Sequence, residues 1–223
     1  MTITRVKICC ISSLQEARLA VSCGAAALGL VSEMPSGPGV ISESTIAQIA
    51  SSVPPGVATF LLTSKTDAQS IIQQQQRCKV NTLQLVDTPL PGTHAQLRRA
   101  LPGISIVQVV HVTGEQSVEE SLRIAPDVDA LLLDSGNPNL AVKQLGGTGR
   151  VHNWQISREI VERAGIPVFL AGGLKPENVA SAIESVAPYG IDLCSGVRTN
   201  DQLDANKLRD FFQAVHATWF NPG

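Results

Sequence analysis

Eight short apolar runs of strand character recur along the chain, at residues 6–12, 27–31, 57–62, 82–86, 104–112, 130–134, 167–172 and 190–195. Helical stretches stand between most of them, at residues 15–21, 67–76, 94–101, 118–124, 154–164, 176–186 and 207–218. Ser12 or Ser13 caps the first helix and Cys23-Gly24 stops it, while Pro176 sits in the first turn of a later one. The run Gln73 to Gln76 reads as the exposed face of a helix. Short apolar strands alternating with helices are the pattern of parallel strands covered on one side by helices. Eight is the number that closes such a sheet, so the expected fold is α/β, a (βα)8 TIM barrel. An open, doubly wound sheet is the competing architecture, but no G-x-G-x-x-G follows the first strand.

A chain of 223 residues can bury one substantial core, and one domain over residues 1–223 is expected. The 17 basic and 19 acidic residues nearly balance, with no basic run, so no nucleic-acid or membrane surface is implied and the expected partner is a small molecule. No stretch approaches the length of uninterrupted apolar sequence needed for a membrane span, and a cytoplasmic protein, monomer or homodimer, is expected. The cysteines, Cys9, Cys10, Cys23, Cys78 and Cys194, are odd in number and form no C-x-x-C pair. Neither a disulfide framework nor a bound metal follows from them.

In a barrel of this kind chemistry sits where the strands run out into their following loops. Lys7 and Cys9, two apart on the first strand, share a face. An ammonium nearby favours the thiolate, so the pair can supply a base or a nucleophile; the plainer reading is a buried cysteine filling space. Asp134 ends the sixth strand behind three leucines. Partial burial there raises a carboxyl toward the range of a useful acid, although an aspartate at a strand end also caps loops. Gly146-Gly147-Thr148-Gly149-Arg150 asks for backbone freedom or close approach to a ligand. Gly172-Gly173 follows the seventh strand and Ser195-Gly196 the eighth. Loops in those places hold phosphate on backbone N–H groups, so a phosphorylated substrate is expected. His111, near the end of the fifth strand, is read as structural before it is read as a ligand contact, and His152 as exposed.

Lys7-Ile8-Cys9, Leu131-Leu132-Leu133-Asp134-Ser135, Gly146-Gly147-Thr148-Gly149-Arg150 with Trp154, Leu170-Ala171-Gly172-Gly173-Leu174 with Pro176-Glu177-Asn178-Val179, and Asp192 with Ser195-Gly196-Val197 together resemble the phosphoribosylanthranilate isomerases of tryptophan biosynthesis. The likeness runs through nearly the whole chain. It implies an Amadori rearrangement of N-(5-phosphoribosyl)anthranilate, an aldose-to-ketose isomerisation that uses no cofactor. On that resemblance Asp134 is the acid that protonates the ribose ring oxygen, and Cys9 is the base that removes the proton from C2. Gly173, Ser195 and Gly196 match the positions that hold the phosphate, and Gly147 sits in the loop that closes the site.

Four departures accompany the resemblance. The family reads lysine-isoleucine-cysteine-glycine at the first strand, and Cys10 stands here in the glycine's place, expected to face the helix layer. After the second strand the family has serine-proline-arginine, whose arginine grips the anthranilate; here Pro35-Ser36-Gly37-Pro38-Gly39 contains none. The fourth strand reads Gln84-Leu85-Val86-Asp87 where the family has glutamine-leucine-histidine-glycine, and Arg198 replaces a family glutamate. Arg198 or Arg150 can supply the missing cation, or the pocket for the amine substituent has been rebuilt. A related phosphosugar isomerase with a different amine, and a phosphosugar-binding barrel without catalysis, are the alternatives; retention of both Cys9 and Asp134 speaks against the second.

Overall fold

β1, Arg5–Ile8, pairs in parallel with β2, Ala27–Val31, on one side and with β8, Gly190–Leu193, on the other, and the second pairing closes the sheet. Between them run β3 (Ala58–Thr63), β4 (Thr82–Leu85), β5 (Ser105–His111), β6 (Ala130–Asp134) and β7 (Val168–Leu170), each parallel to its neighbours in sequence order. The computed structural model describes residues 3–136 and 152–220, and the whole glycine-rich segment 146–150 lies outside them. Strand parity divides the apolar residues into two layers. Ile8, Leu28, Leu30, Leu61, Leu83, Ile106, Leu131 and Leu170 face outward into the core beneath the helices. Val31, Phe60, Leu62, Val107, Val109, Leu132 and Phe169 fill the barrel interior.

The helices are α1 (Leu14–Ser22), α2 (Glu43–Ser52), α3 (Ala68–Cys78), α4 (Thr93–Ala100), α5 (Gln116–Ile124), α6 (Trp154–Arg163), α7 (Val179–Val186) and α8 (Ala205–Phe220). Side-chain caps fix five of their starts, that of α8 through Asp204, whose Oδ1 accepts the Asn206 and Lys207 N–H groups. Ser13 accepts from the Glu16 N–H, Ser42 from Thr45, Asp67 from Ser70 and Asn153 from Gln155. Each such cap is worth about 1 kcal/mol. A short antiparallel pair, β9 (Arg198–Thr199) and β10 (Gln202–Leu203), precedes α8.

Several local expectations change. α2 has no counterpart among the helices read from the sequence. The glutamine run is not uniformly exposed: Gln74 and Gln75 are buried, with Gln75 Nε2 donating to the Val80 carbonyl at 2.6 Å and Gln74 Nε2 to Glu43. α7 starts at Val179 rather than at Pro176, because Asn178 bridges the loop before it, accepting from the Lys175 N–H and donating to the Gly173 carbonyl, each at 2.9 Å. His152 is half-buried against the Ser157 hydroxyl, and burial pushes its imidazole down to about 4.

Candidate active site

The inward series of each strand, carried to its C-terminal end, delivers chemistry to one mouth. Cys9 comes from just beyond β1, Gln84 from β4, Asp134 from β6 and Asp192 from β8, and all four line a single cleft of about 770 Å3 including its open mouth. Residues 171–174 after β7 and Cys194-Ser195 after β8 form one wall, and Ser36-Gly37-Pro38 after β2 form another. Val31, Met34, Leu62, Val86, Val109 and Leu132 supply an apolar lining.

Asp134 is buried at 7% exposure, and its Oδ1 accepts the Ser135 N–H at 2.7 Å. Burial raises the carboxyl's pKa, and the charge of Asp192 adds to this; the Ser135 N–H, His111 and Lys7 pull the other way without cancelling it. The site therefore favours a carboxyl that keeps its proton, which is what an acid needs.

Lys7 is fully buried beneath the mouth, with its ammonium 2.8 Å from Asp192 Oδ2, the residue beside it across the β1–β8 seam. Burial alone pulls the ammonium's pKa down; Asp192 and then Cys9 more than reverse that, leaving it raised. Lys7 is thus committed to an ion pair as well as placed near Cys9. Breaking a buried pair by removing one partner strands the other charge. Lys7→Met is expected to cost about 3–5 kcal/mol of stability in urea unfolding, and adding Asp192→Asn to recover most of it.

Gly29 on β2 makes room for this arrangement. A Cβ there falls 2.8 Å from Cys9 Sγ and 3.0 Å from Lys7 Nζ, closer than packed atoms come. Cys10 does not face the helix layer. Its φ of +61° turns the chain out of the strand's alternation, so that its thiol reaches the cleft and lies 3.7 Å from the Pro38 carbonyl. That φ explains why glycine suits the position, since left-handed backbone costs an L-residue roughly 1–2 kcal/mol. Hydrogen bonding with Cys194 and Cys9, together with burial, raises the Cys10 thiol, whereas the bond from Cys10 and the charge of Arg198 lower Cys194 despite its burial.

The model of the family described as N-(5'-phosphoribosyl)anthranilate isomerase matches residues 6–214. The chain belongs to that family. It is 36% identical to the N-(5'-phosphoribosyl)anthranilate isomerase of Methanosarcina acetivorans, over 97% of this chain and 94% of that one. Against the same enzyme of Methanocella arvoryzae it is 32% identical, over 96% and 99%. Among solved structures, phosphoribosyl anthranilate isomerase from Thermotoga maritima superimposes with a TM-score of 0.81 at 28% identity, covering 96% of this chain and 99% of that one. A structure of phosphoribosyl anthranilate isomerase in complex with reduced 1-(o-carboxyphenylamino)-1-deoxyribulose 5-phosphate matches at a TM-score of 0.78 and 26% identity, over 96% of this chain and 99% of that one. The chain is an intramolecular isomerase with the family's (βα)8 barrel.

Against the family pattern, Arg198 is not a cation of the mouth. Its guanidinium donates to both Glu16 oxygens, at 2.9 and 3.1 Å, and to the carbonyls of Cys10 and Asp201 at 2.6 and 2.8 Å. It pins α1 and the β9–β10 hairpin behind the end of β1 and does not line the cleft. Among the described residues no lysine or arginine side chain lines it. Arg150 and Gly147 lie outside the described residues. Gly173 and Ser195 line the wall after β7 and β8, while Gly196 is fixed by packing: a Cβ there falls 2.1 Å from the Leu174 carbonyl oxygen. Sequence reasoning assigned no role to Gln84, whose Oε1 is buried without a partner among the described residues. The alternation of β4 was the signal that could have pointed it inward.

Proposed function

We propose that the chain isomerises N-(5'-phosphoribosyl)anthranilate with Asp134 as acid and Cys9 as base. The observation that carries this reading is that one cleft at the C-terminal mouth holds a protonation-favouring carboxyl and a thiol on separate strands, beside the loops after β7 and β8. Asp134 gives its proton to the ribose ring oxygen; the C1–O bond breaks and the ring opens to the Schiff base. Cys9, as thiolate, takes the proton from C2, and the C2–H electron pair moves to form the enolamine. Loss of the enol proton and gain of a proton at C1 complete the ketose. No step calls for a metal or an organic cofactor.

In this reading the substrate's phosphate lies on the backbone N–H groups of Gly173, Ser195 and Gly196, the last two in a short 3-10 turn over Ser195–Val197. Gly196→Ala pushes this turn off the Leu174 carbonyl and removes at least one charge-assisted bond. KM is expected to rise roughly tenfold or more with kcat changed far less, in steady-state assays. The anthranilate ring packs on the apolar lining about Met34, Leu62 and Leu132. Of the two cations the sequence offered for the carboxylate, Arg198 is committed elsewhere, and the reading passes to Arg150, which lies outside the described residues.

A crystal structure with the reduced product analogue tests the placement. The phosphate is expected at residues 173 and 195–196, and the carboxyphenyl group between residues 34–38 and the β3–β4 wall. A phosphate at the opposite wall, or a carboxylate on Arg198, overturns it.

A further inference from the structure

Three of the chain's five cysteines, Cys9, Cys10 and Cys194, line the same cleft, and only Cys9 has a part in the isomerisation. The Cys9 N–H donates to the Leu193 carbonyl at 2.8 Å. That bond carries the β1–β8 pairing one step past the strand ends and sets Cys9 and Cys194 side by side. At Cys10 the φ of +61° brings the next thiol into the cleft, where it is a hydrogen-bonding neighbour of the Cys194 thiol and lies 3.7 Å from the Pro38 carbonyl. The loop after β2 leaves room for it: a Cβ on Gly39 falls 3.1 Å from Cys10 Sγ. Arg198 holds the backbone beneath, donating to the Cys10 carbonyl at 2.6 Å while Glu16 fixes its guanidinium. Two departures from the family pattern, Cys10 in a glycine's place and Arg198 in a glutamate's, thus meet at Cys194.

The two thiols differ in kind. The hydrogen bond from Cys10 and the charge of Arg198 hold Cys194 below the ordinary thiol range despite its burial, whereas the bond to Cys194 keeps the proton on Cys10. Cys194 is also the more open, half-buried against 6% exposure for Cys10 and 7% for Cys9. Cys78, by contrast, is sealed in the core, and burial pushes its thiol up to about 12. A thiolate-prone cysteine beside a second thiol, at an open cleft, is the setting of reversible thiol oxidation. We propose that Cys10 and Cys194 are an oxidation site that locks the active site: a hydroperoxide entering the cleft converts the pair to a disulfide, and a small dithiol reopens it. The Cys194 thiolate attacks a peroxide oxygen, the O–O bond breaks, and the departing alkoxide or hydroxide takes a proton from water, leaving Cys194 a sulfenic acid. The charge that held the Cys10 proton is then gone. Cys10 sulfur attacks Cys194 sulfur, the S–O bond breaks, and hydroxide leaves with the Cys10 proton as water. The pair gives up two electrons and the hydroperoxide takes them. Exchange with the dithiol reverses the bond and oxidises the dithiol to its own disulfide. The disulfide ties the wall after β8 to the residue next to Cys9, so it shifts both Cys9 and residues 195–196. The effect on turnover rests on this cleft being the active site; formation of the bond does not.

The test treats reduced protein with hydrogen peroxide, quenches with catalase, and measures turnover before and after dithiothreitol. Wild-type activity is expected to fall about tenfold or more, as a small misplacement of reacting groups does, and to return with the dithiol. Cys194→Ser lacks the thiolate and is expected to keep the activity of its own reduced form through the same treatment. Tryptic maps without reductant are expected to show peptides 8–18 and 164–198 linked in the oxidised wild type. Peptide 8–18 holds both Cys9 and Cys10, so single variants separate them. The link is expected in C9S and absent from C10G and C194S. A link that vanishes in C9S and survives in C10G, no linked peptide in the oxidised wild type, a linked protein with undiminished turnover, or equal loss of activity in C194S overturns the proposal. A reduced wild type without turnover instead overturns the assignment of the active site, and the maps then still report on the pair.

Discussion

Asp134→Asn is expected to lower turnover by about a thousandfold or more, within the range that general acid catalysis supplies. The amide keeps an oxygen for the Ser135 N–H, which reaches Asp134 at 2.7 Å, so Ser135 has no reason to move. What it loses is the proton. Binding of inorganic phosphate, measured by calorimetry, should stay within about twofold of wild type, since the loops that hold the anion come from β7 and β8. The same substitution should stabilise the fold at neutral pH. Burial raises the Asp134 carboxyl above its unfolded value of about 3.9, so the folded state binds that proton more tightly than the unfolded one. The carboxyl's contribution is therefore most favourable below about pH 4 and is lost as pH rises through the folded value. An amide has no such loss, so the melting temperature of D134N should exceed that of the wild type at pH 7.5, and the gap should close toward pH 4. An active site that stores a strained protonation state in this way trades stability for chemistry.

Cys9→Ser is expected to cost about as much, on the order of a thousandfold in kcat, for a different reason. The hydroxyl is close to the thiol in size, and the Cys9 N–H keeps its 2.8 Å bond to the Leu193 carbonyl, so the backbone at the end of β1 is held. A hydroxyl has no accessible anion near neutral pH, and a base that cannot ionise cannot take a carbon-bound proton. The signature is specific. Solvent-deuterium exchange at the substrate's C2 proton, followed by NMR, should disappear with turnover in C9S. In D134N any ring-opened substrate that forms should still exchange that proton.

The barrel was legible because parallel strands buried on both faces read as nearly continuous apolar runs, and eight of them can be counted without knowing any contact. α2 was not, because Glu43–Ser52 is rich in serine and its buried residues, Ile46 and Ile49, are too few to show a helical stripe. Cys9 and Asp134 were legible as residues at strand ends. Cys10 was placed on the wrong side because alternation presumes extended backbone, and a φ of +61° at that residue breaks it. Arg198 was assigned to the mouth because its partner, Glu16, is 182 residues away in sequence, and only closure of the barrel brings them together. The same closure, pairing Lys7 with Asp192 across the seam, turned a lysine read as an aid to Cys9 into half of an ion pair.

The most direct test of the account is turnover of freshly generated N-(5'-phosphoribosyl)anthranilate, followed by loss of its fluorescence, with wild type, C9S and D134N side by side. The account predicts saturable turnover by the wild type and about a thousandfold less by each variant, with phosphate binding retained in all three. Turnover by either variant at the wild-type rate would contradict it.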